Sequence, residues 1–165
     1  MKNAVVLFTV FLGLFYASSC NLKAKKAKTY RDEILEQVKN VVDASLGFSD
    51  AIFTHQKQDA VLAIESYGST VKKSISAVEA KGVFDGDTML RAASLFLLRF
   101  YDNTLQKQYA PFYNTVSGKE LTETEAIIVD SITEKFMMDE NHYWGLFDAA
   151  EKNFYNRNGI KEVEK

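Results

Sequence analysis

Apolar residues recur every three or four positions along most of the chain, which is the spacing that places side chains on one face of an α-helix. The segment from about 57 to 81 shows this spacing most clearly, and residues 29–55 repeat it, with Gly47 as a candidate point for an early break. The apolar and small positions of the second segment form one continuous seam, as in helices that pack nearly parallel to a neighbour. These positions are Val61, Ile64, Gly68, Val71, Ile75, Val78 and Gly82.

Turn signals separate the second helix from a third. Lys81-Gly82 is typical of a glycine C-cap, and Asp85-Gly86-Asp87 predicts a turn into a strongly apolar helix over about 87–116. Pro111 is expected to kink or loosen the last turns of this helix, because proline lacks a backbone donor. Ser117-Gly118 then predicts its end.

A fourth helix is predicted from its two ends. Thr122 and Glu125 have the spacing of a capping box, and Asn158-Gly159 is typical of a helix C-terminus. No segment shows the alternation of apolar and polar residues that a half-buried strand requires. Four long helices joined by short turns predict an all-α fold, an antiparallel up-down four-helix bundle.

The first residues of the chain have the composition of an export signal. Lys2 supplies a positive start, and residues 4–17 supply an apolar run that is followed at once by small residues. This run is shorter than the roughly 20 residues that a helix needs to cross the hydrocarbon core of a bilayer. We therefore expect it to be removed rather than to remain as a membrane span.

The end of this signal contains the single cysteine of the chain. Ala17-Ser18-Ser19-Cys20 resembles the lipobox of bacterial lipoproteins, in which small residues precede an invariant cysteine, although leucine is commoner than alanine at the position of Ala17. The resemblance implies that Cys20 becomes the first mature residue and carries a diacylglyceryl group and an N-acyl chain, and several chains anchor a protein stably. The alternative is an ordinary secretory signal that leaves Cys20 as a free thiol. The predicted organisation is a signal peptide at 1–19, a lipidated cysteine and basic tether at 20–28, and the bundle at 29–165.

The residues after the cysteine bear on where the anchored protein lies. Asn21 is not the aspartate that retains such lipoproteins at the inner membrane, so the resemblance implies an outer-membrane location. The tether Leu22–Lys28 holds four lysines, which either lie against anionic head groups or form a solvated spacer. Tethers of surface-displayed lipoproteins of Bacteroidota are usually acidic, so this basic tether favours the periplasmic face.

Charge and cysteine content limit the functions of the body. The chain has 20 basic and 22 acidic residues, and five of the lysines precede residue 29, so residues 29–165 carry a net charge of −7. An acidic body is not typical of a nucleic-acid-binding protein. With one cysteine the chain cannot form an internal disulfide, so the body must be stabilised by packing.

The residues of a metal or catalytic centre are incomplete in the sequence. Asp139 and His142 have the i, i+3 spacing of a helical metal-binding pair, but the other histidine, His55, has no carboxylate three residues before it. The familiar nucleophile and phosphate-loop motifs are absent. We therefore expect neither an enzyme, nor a metal site, nor a cofactor.

A polar break in the fourth helix is the candidate ligand or partner site. Polar residues, among them Asp139 and His142, interrupt the apolar stripe and are flanked by methionines on one side and by the aromatic residues Tyr143 and Trp144 on the other. They either line a pocket between helices or form a core layer whose polar atoms are satisfied locally, with Trp144 at the margin of the core.

Two classes of function follow from this organisation. The whole mature chain resembles uncharacterised helical-bundle lipoproteins of Bacteroidota and spirochaetes, a resemblance that implies no functional residues. We expect a membrane-anchored envelope lipoprotein that serves as a structural or protein-interaction module, with an exposed apolar patch for an envelope partner. The alternative is a periplasmic carrier of a small apolar ligand, which would enclose a cavity between the helices.

Overall fold

The computed structural model describes the backbone of residues 2–54, 57–110 and 121–160, and the side chains of residues 22–48, 61–110 and 121–160. Within these residues the chain forms four α-helices and no β-strand. A π-helical segment, in which hydrogen bonds span five residues rather than four, continues the third helix. The elements are α1 (Lys2–Thr54), α2 (Lys57–Ala80), α3 (Met89–Thr104), the π-helical segment (Leu105–Tyr109) and α4 (Glu123–Asn158). The predicted all-α four-helix bundle is confirmed.

Aromatic contacts at the two ends of the bundle show that the helices alternate in direction. At the end that we call proximal, Tyr30 of α1 packs on Phe84 of the α2–α3 loop and on Phe154 near the end of α4, with ring centroids 5.4 and 5.8 Å apart. At the other end, which we call distal, Phe48 of α1 stacks on Tyr67 of α2 at 5.1 Å. The start of the body and the end of α4 therefore lie together, as an up-down order requires.

The core is a continuous apolar layer contributed by all four helices. Its fully buried members are Ile34, Val38, Val41, Val71, Val78, Leu90, Leu97, Leu98, Phe147 and Phe154. The predicted seam of α2 is confirmed at Val71 and Val78, which have no exposed surface. Burial of each such side chain stabilises the fold by about 1.5–3 kcal/mol.

Helix α1 is longer than the sequence pattern predicts. It was expected to begin at about residue 29 and to have a candidate break at Gly47, but it is continuous from Lys2 to Thr54. Alanine, leucine and lysine between Cys20 and Tyr30 are strong helix formers, so no residue there ends a helix. The side chain of Ala27 is fully buried, and Lys23 forms an ion pair of 2.5 Å with Asp85. The described part of the basic tether is thus helical and contacts the body.

The C-terminus of α2 is capped by an arginine side chain and not by the predicted glycine. The helix ends at Ala80, close to the predicted position, but Gly82 is not left-handed: among the described glycines only Gly86 and Gly159 have positive φ. The last carbonyls of α2 are instead bound by the guanidinium of Arg91, which donates to the oxygens of Val78 at 3.1 Å and Glu79 at 2.7 Å. A cation at a helix C-terminus also complements the helix dipole.

The turn between α2 and α3 is confirmed. Asp85 and Gly86 both have positive φ, 49° and 78°, and the Asp87 N–H donates to the Phe84 carbonyl at 2.8 Å. This is the geometry of a type I′ turn, which Asp-Gly adopts readily. Asp87 then accepts the Met89 N–H at 2.9 Å and so caps the start of α3.

The later helix ends agree with the sequence signals where they are described. The π-helical segment at Leu105–Tyr109 loosens the helix just before Pro111 in the sequence, although Pro111 and Ser117-Gly118 lie outside the described residues. The capping box of α4 is confirmed, because the Thr122 hydroxyl accepts the Glu125 N–H at 3.3 Å and the Glu125 carboxylate accepts the Thr122 N–H at 2.9 Å. Gly159, with a φ of 62°, ends α4 as predicted.

Candidate functional site

Two linked hydrogen bonds, which we call the relay, join α3 to α4 near the middle of α4. The Trp144 Nε1–H donates to the Tyr101 hydroxyl oxygen at 3.2 Å, and the Tyr101 hydroxyl donates to the Glu140 carboxylate at 2.5 Å. Glu140 and Trp144 are four residues apart and therefore lie on the same face of α4. Tyr101 is 2% exposed, so the relay sits at the edge of the core rather than on the surface.

The Glu140 carboxylate, which accepts the Tyr101 hydroxyl, also acts electrostatically on Tyr67 and Tyr109. Burial, and then the negative charge of Glu140, raise the pKa of Tyr67 and Tyr101 above the ordinary tyrosine value. The pKa of Tyr109 is raised by the same two causes. At neutral pH all three hydroxyls therefore keep their protons, so none of them is suited to be a general base. The hydrogen bonds among Tyr101, Glu140 and Trp144 therefore hold α3 against α4, and they are suited to stabilising the fold rather than to catalysis.

The structure places two of the four predicted site residues, Tyr143 and Trp144, in or beside the relay. The Tyr143 ring stacks on Phe100 with centroids 4.9 Å apart, and Trp144 belongs to the relay. Asp139 instead pairs with Lys135 on the surface at 2.9 Å, and His142 is exposed with its ring edge-on to Tyr143 at 5.5 Å. The polar atoms of Trp144 are thus satisfied by its neighbours.

Metal ligands do not converge in the part of the chain that the structure describes. No group of three or more histidine, cysteine, aspartate or glutamate side chains there is arranged to hold a metal ion. His55 and the side chain of Cys20 lie outside the described residues.

Sequence reasoning missed Tyr101 and Glu140 as members of the relay. In the sequence, Tyr101 is one of the aromatic residues of the strongly apolar third helix, and Glu140 lies inside the polar break of the fourth. The i, i+4 spacing of Glu140 and Trp144 was the available signal, since it places a carboxylate and an indole N–H side by side. Their common partner on α3 depends on the register between two helices, which periodicity alone does not determine.

A second feature is an open groove between α2 and the π-helical segment. Its volume is about 710 Å³. Its lining includes the apolar side chains of Ile64, Leu105 and Ala110 and the exposed side chains of Lys72 and Lys73. Gly68 lies under Leu105, and a Cβ atom at this position would be 3.3 Å from the Leu105 Cδ2 atom, so a glycine allows the two elements to approach closely.

The third feature is the outer surface of α4. Among the described side chains, six of the large apolar residues that remain exposed lie on this helix or just before it, whereas the described parts of α1, α2 and α3 have at most two each. They are Leu121, Ile127, Ile128, Met137, Met138 and Leu146. Single exposed apolar residues are ordinary, but a concentration of them on one element marks a binding surface.

Comparison with known proteins adds no further constraint. The chain matches no protein-family model, no curated protein and no solved structure. Across the residues that the structure describes, none of the helices combines the length and the apolarity needed to span a bilayer.

Proposed function

We propose that this chain is a lipid-anchored protein of the bacterial cell envelope, held at the outer membrane on its periplasmic side, and that it binds a protein partner through α4 without catalysing a reaction. The observation that carries this proposal is the outer surface of α4. Five exposed large apolar residues project from that helix and a sixth lies just before it, at 44% to 68% exposure, whereas the described parts of the other helices expose at most two each. Exposed apolar area on a helix is removed from water when a partner covers it.

The anchor follows from the position of Cys20 next to the body. Helix α1 is continuous through Cys20 and into the bundle, so lipid on this residue would lie beyond the proximal end. Lys25 and Lys26 are exposed in the first turns after it, where positive charge favours anionic head groups. The distal end of the bundle then points away from the membrane.

Lipidation is tested by metabolic labelling with a palmitate analogue. We expect the wild-type chain to incorporate label and to fractionate with membranes, because the sulfur of Cys20 and the amino group created by cleavage receive the acyl chains. Cys20→Ala should lose both label and membrane association, while Lys26→Ala, a change in the same stretch, should retain both. Label that persists in Cys20→Ala would contradict the proposed anchor.

Partner binding is tested separately in cells by photo-crosslinking. A benzoylphenylalanine at Ile127 or Met138 should form a discrete crosslinked product that mass spectrometry assigns to one envelope protein, because both side chains project from the outer surface of α4. Leu62, a residue of α2 that is 58% exposed, provides the matched control and should give no such product. Equal yields at all three positions would rule out α4 as the binding surface.

The groove beside the π-helical segment favours a carrier as the second candidate function. The apolar residues of its lining, together with Lys72 and Lys73, would suit a small amphiphilic molecule with an acidic group. The groove is open to solvent and not enclosed between helices, which is why we rank this function second. Native mass spectrometry of the protein purified from its host, by detecting or not detecting a retained small molecule, distinguishes a carrier from an interaction module.

A further inference from the structure

Four of the five exposed large apolar residues of α4 lie in one outward sector, and the fifth, Met137, lies about 80° from Ile127 on the opposite side from Ile128. At about 100° per residue, Ile127 and Met138 point in nearly the same direction, which is opposite to the inward direction of Phe136. These two are the most exposed of the set, at 64% and 68%. Ile128 and Leu146 lie about 100° round the helix on one side of them. We refer to the sector that contains these four residues as the outer face of α4.

Acidic residues border the other side of the outer face. Glu123, Asp130 and Glu134 lie within about 60° of Ile127 on the side opposite Ile128. All three are exposed, and no ion pair with another described residue engages them. Residues 121–140 hold six carboxylates and one lysine, a net charge of −5, and that lysine pairs with Asp139. The outer face therefore combines exposed apolar residues with Lys135, whose charge is paired with Asp139, and has a strongly negative border.

The negative charge beside the outer face limits what can bind there. The candidates are a second copy of the chain, an anionic lipid surface and a different protein. A second copy of the chain would bring an equal negative border against the first, and an anionic lipid surface would also be repelled. The end of the outer face that contains Ile127 and Ile128 lies far from the proximal end as well: Ile127 and Phe154 are 27 residues apart, which is about 40 Å along a helix. A protein partner with the opposite charge is the occupant that remains.

We infer that the outer face of α4 binds an amphipathic helix whose apolar side is bordered by lysine or arginine residues. This inference rests on the proposed interaction function and names the chemistry of the partner. The apolar side of such a helix would cover Ile127, Ile128 and Met138, as amphipathic helices cover apolar grooves in other complexes. Its basic residues would lie against Glu123, Asp130 and Glu134 and determine its orientation.

Two designed peptides of equal length and apolarity test the sign of the partner charge. The full chain is reconstituted in phosphatidylcholine nanodiscs, and the anisotropy of a fluorescent 18-residue leucine–lysine helix is compared with that of the matched leucine–glutamate helix after subtraction of empty nanodiscs. We expect the basic peptide to bind at least tenfold more tightly, with a preference that declines at high salt. Equal affinities, or tighter binding of the acidic peptide, would overturn the inference.

Variants of exposed residues locate the binding surface. Ile127→Ser and Met138→Ser should each weaken binding of the basic peptide at least fivefold, whereas Leu62→Ser on α2 should leave it unchanged. Asp130→Lys combined with Glu134→Lys should abolish the preference for the basic peptide, while Glu36→Lys on α1 should preserve it. Circular dichroism of each variant verifies that the fold is retained. Binding that is insensitive to the α4 changes would place the peptide elsewhere and refute the inference.

The remaining outcomes separate this inference from the proposed function. Crosslinking at Met138 in cells together with no basic-peptide preference would retain the interaction function and refute the partner chemistry. Self-association that Met138→Ser abolishes would identify a second copy as the occupant. Binding of the outer face to phosphatidylglycerol vesicles, lost in Ile127→Ser, would identify a membrane surface instead. Each of these results contradicts the inference of a basic helical partner.

Discussion

Trp144 lies between the core and the solvent, and its contacts define how much it contributes to the fold. Its indole N–H donates to Tyr101, and its ring meets Phe147 edge-on with centroids 5.6 Å apart. A hydrogen bond of this kind contributes about 1 kcal/mol, and an edge-to-face aromatic pair contributes about 0.5–1.5 kcal/mol. Phe147, in contrast, is 1% exposed and belongs to the core.

These contacts predict graded effects of two alanine substitutions on the free energy of unfolding. Trp144→Ala should lower it by about 2 kcal/mol, the sum of the lost hydrogen bond and ring contact. Phe147→Ala should lower it by about 3–5 kcal/mol, because it empties a buried aromatic position. Urea unfolding followed by circular dichroism measures both. Equal losses would show that Trp144 is a core residue, and an unchanged value for Trp144→Ala would show that neither its hydrogen bond to Tyr101 nor its ring contact with Phe147 contributes to stability.

At the scale of the helices, local motifs were predictable from the sequence. The capping box of Thr122 and Glu125 and the Asp85-Gly86 turn each depend on residues within a few positions of one another. Their geometry follows from backbone and side-chain preferences that act without the rest of the fold. The predicted seam of α2 was correct for the same reason, since a face is determined by periodicity.

Features that depend on contact between helices were not predictable. The cap of α2 is supplied by Arg91, a residue of the next helix, so Gly82 did not need to become left-handed. The pairing of Tyr101 with Glu140 likewise requires a particular register of α3 against α4. Asp139 and His142 were assigned to the candidate site by their proximity in sequence, and the rotation of α4 places them on its surface.

At the scale of the whole molecule, α4 is held unevenly along its length. Its buried residues, Phe147, Ala150, Phe154 and Asn158, all belong to its second half. That half also contacts α1 through Arg31, which pairs with Glu151 at 2.7 Å and lies 4.9 Å from the centre of the Tyr155 ring. The first half packs through partly buried side chains such as Phe136, whose ring stacks on Phe100 at 5.4 Å. The distal part of α4 therefore has fewer contacts to break when it opens.

This asymmetry predicts a gradient of amide hydrogen exchange along α4. Local opening is least costly where few apolar side chains are buried, so amides of residues 124–135 should exchange at least tenfold faster than those of residues 147–157. Hydrogen-exchange mass spectrometry of the full chain in nanodiscs measures both regions, and Arg31→Ala should narrow the difference by accelerating exchange in the second. Adding the leucine–lysine peptide should slow exchange at 124–135 alone, because a bound helix would supply the apolar contacts that this half lacks. Uniform protection along α4 would show that its distal half is already held by the bundle and gains nothing from a partner.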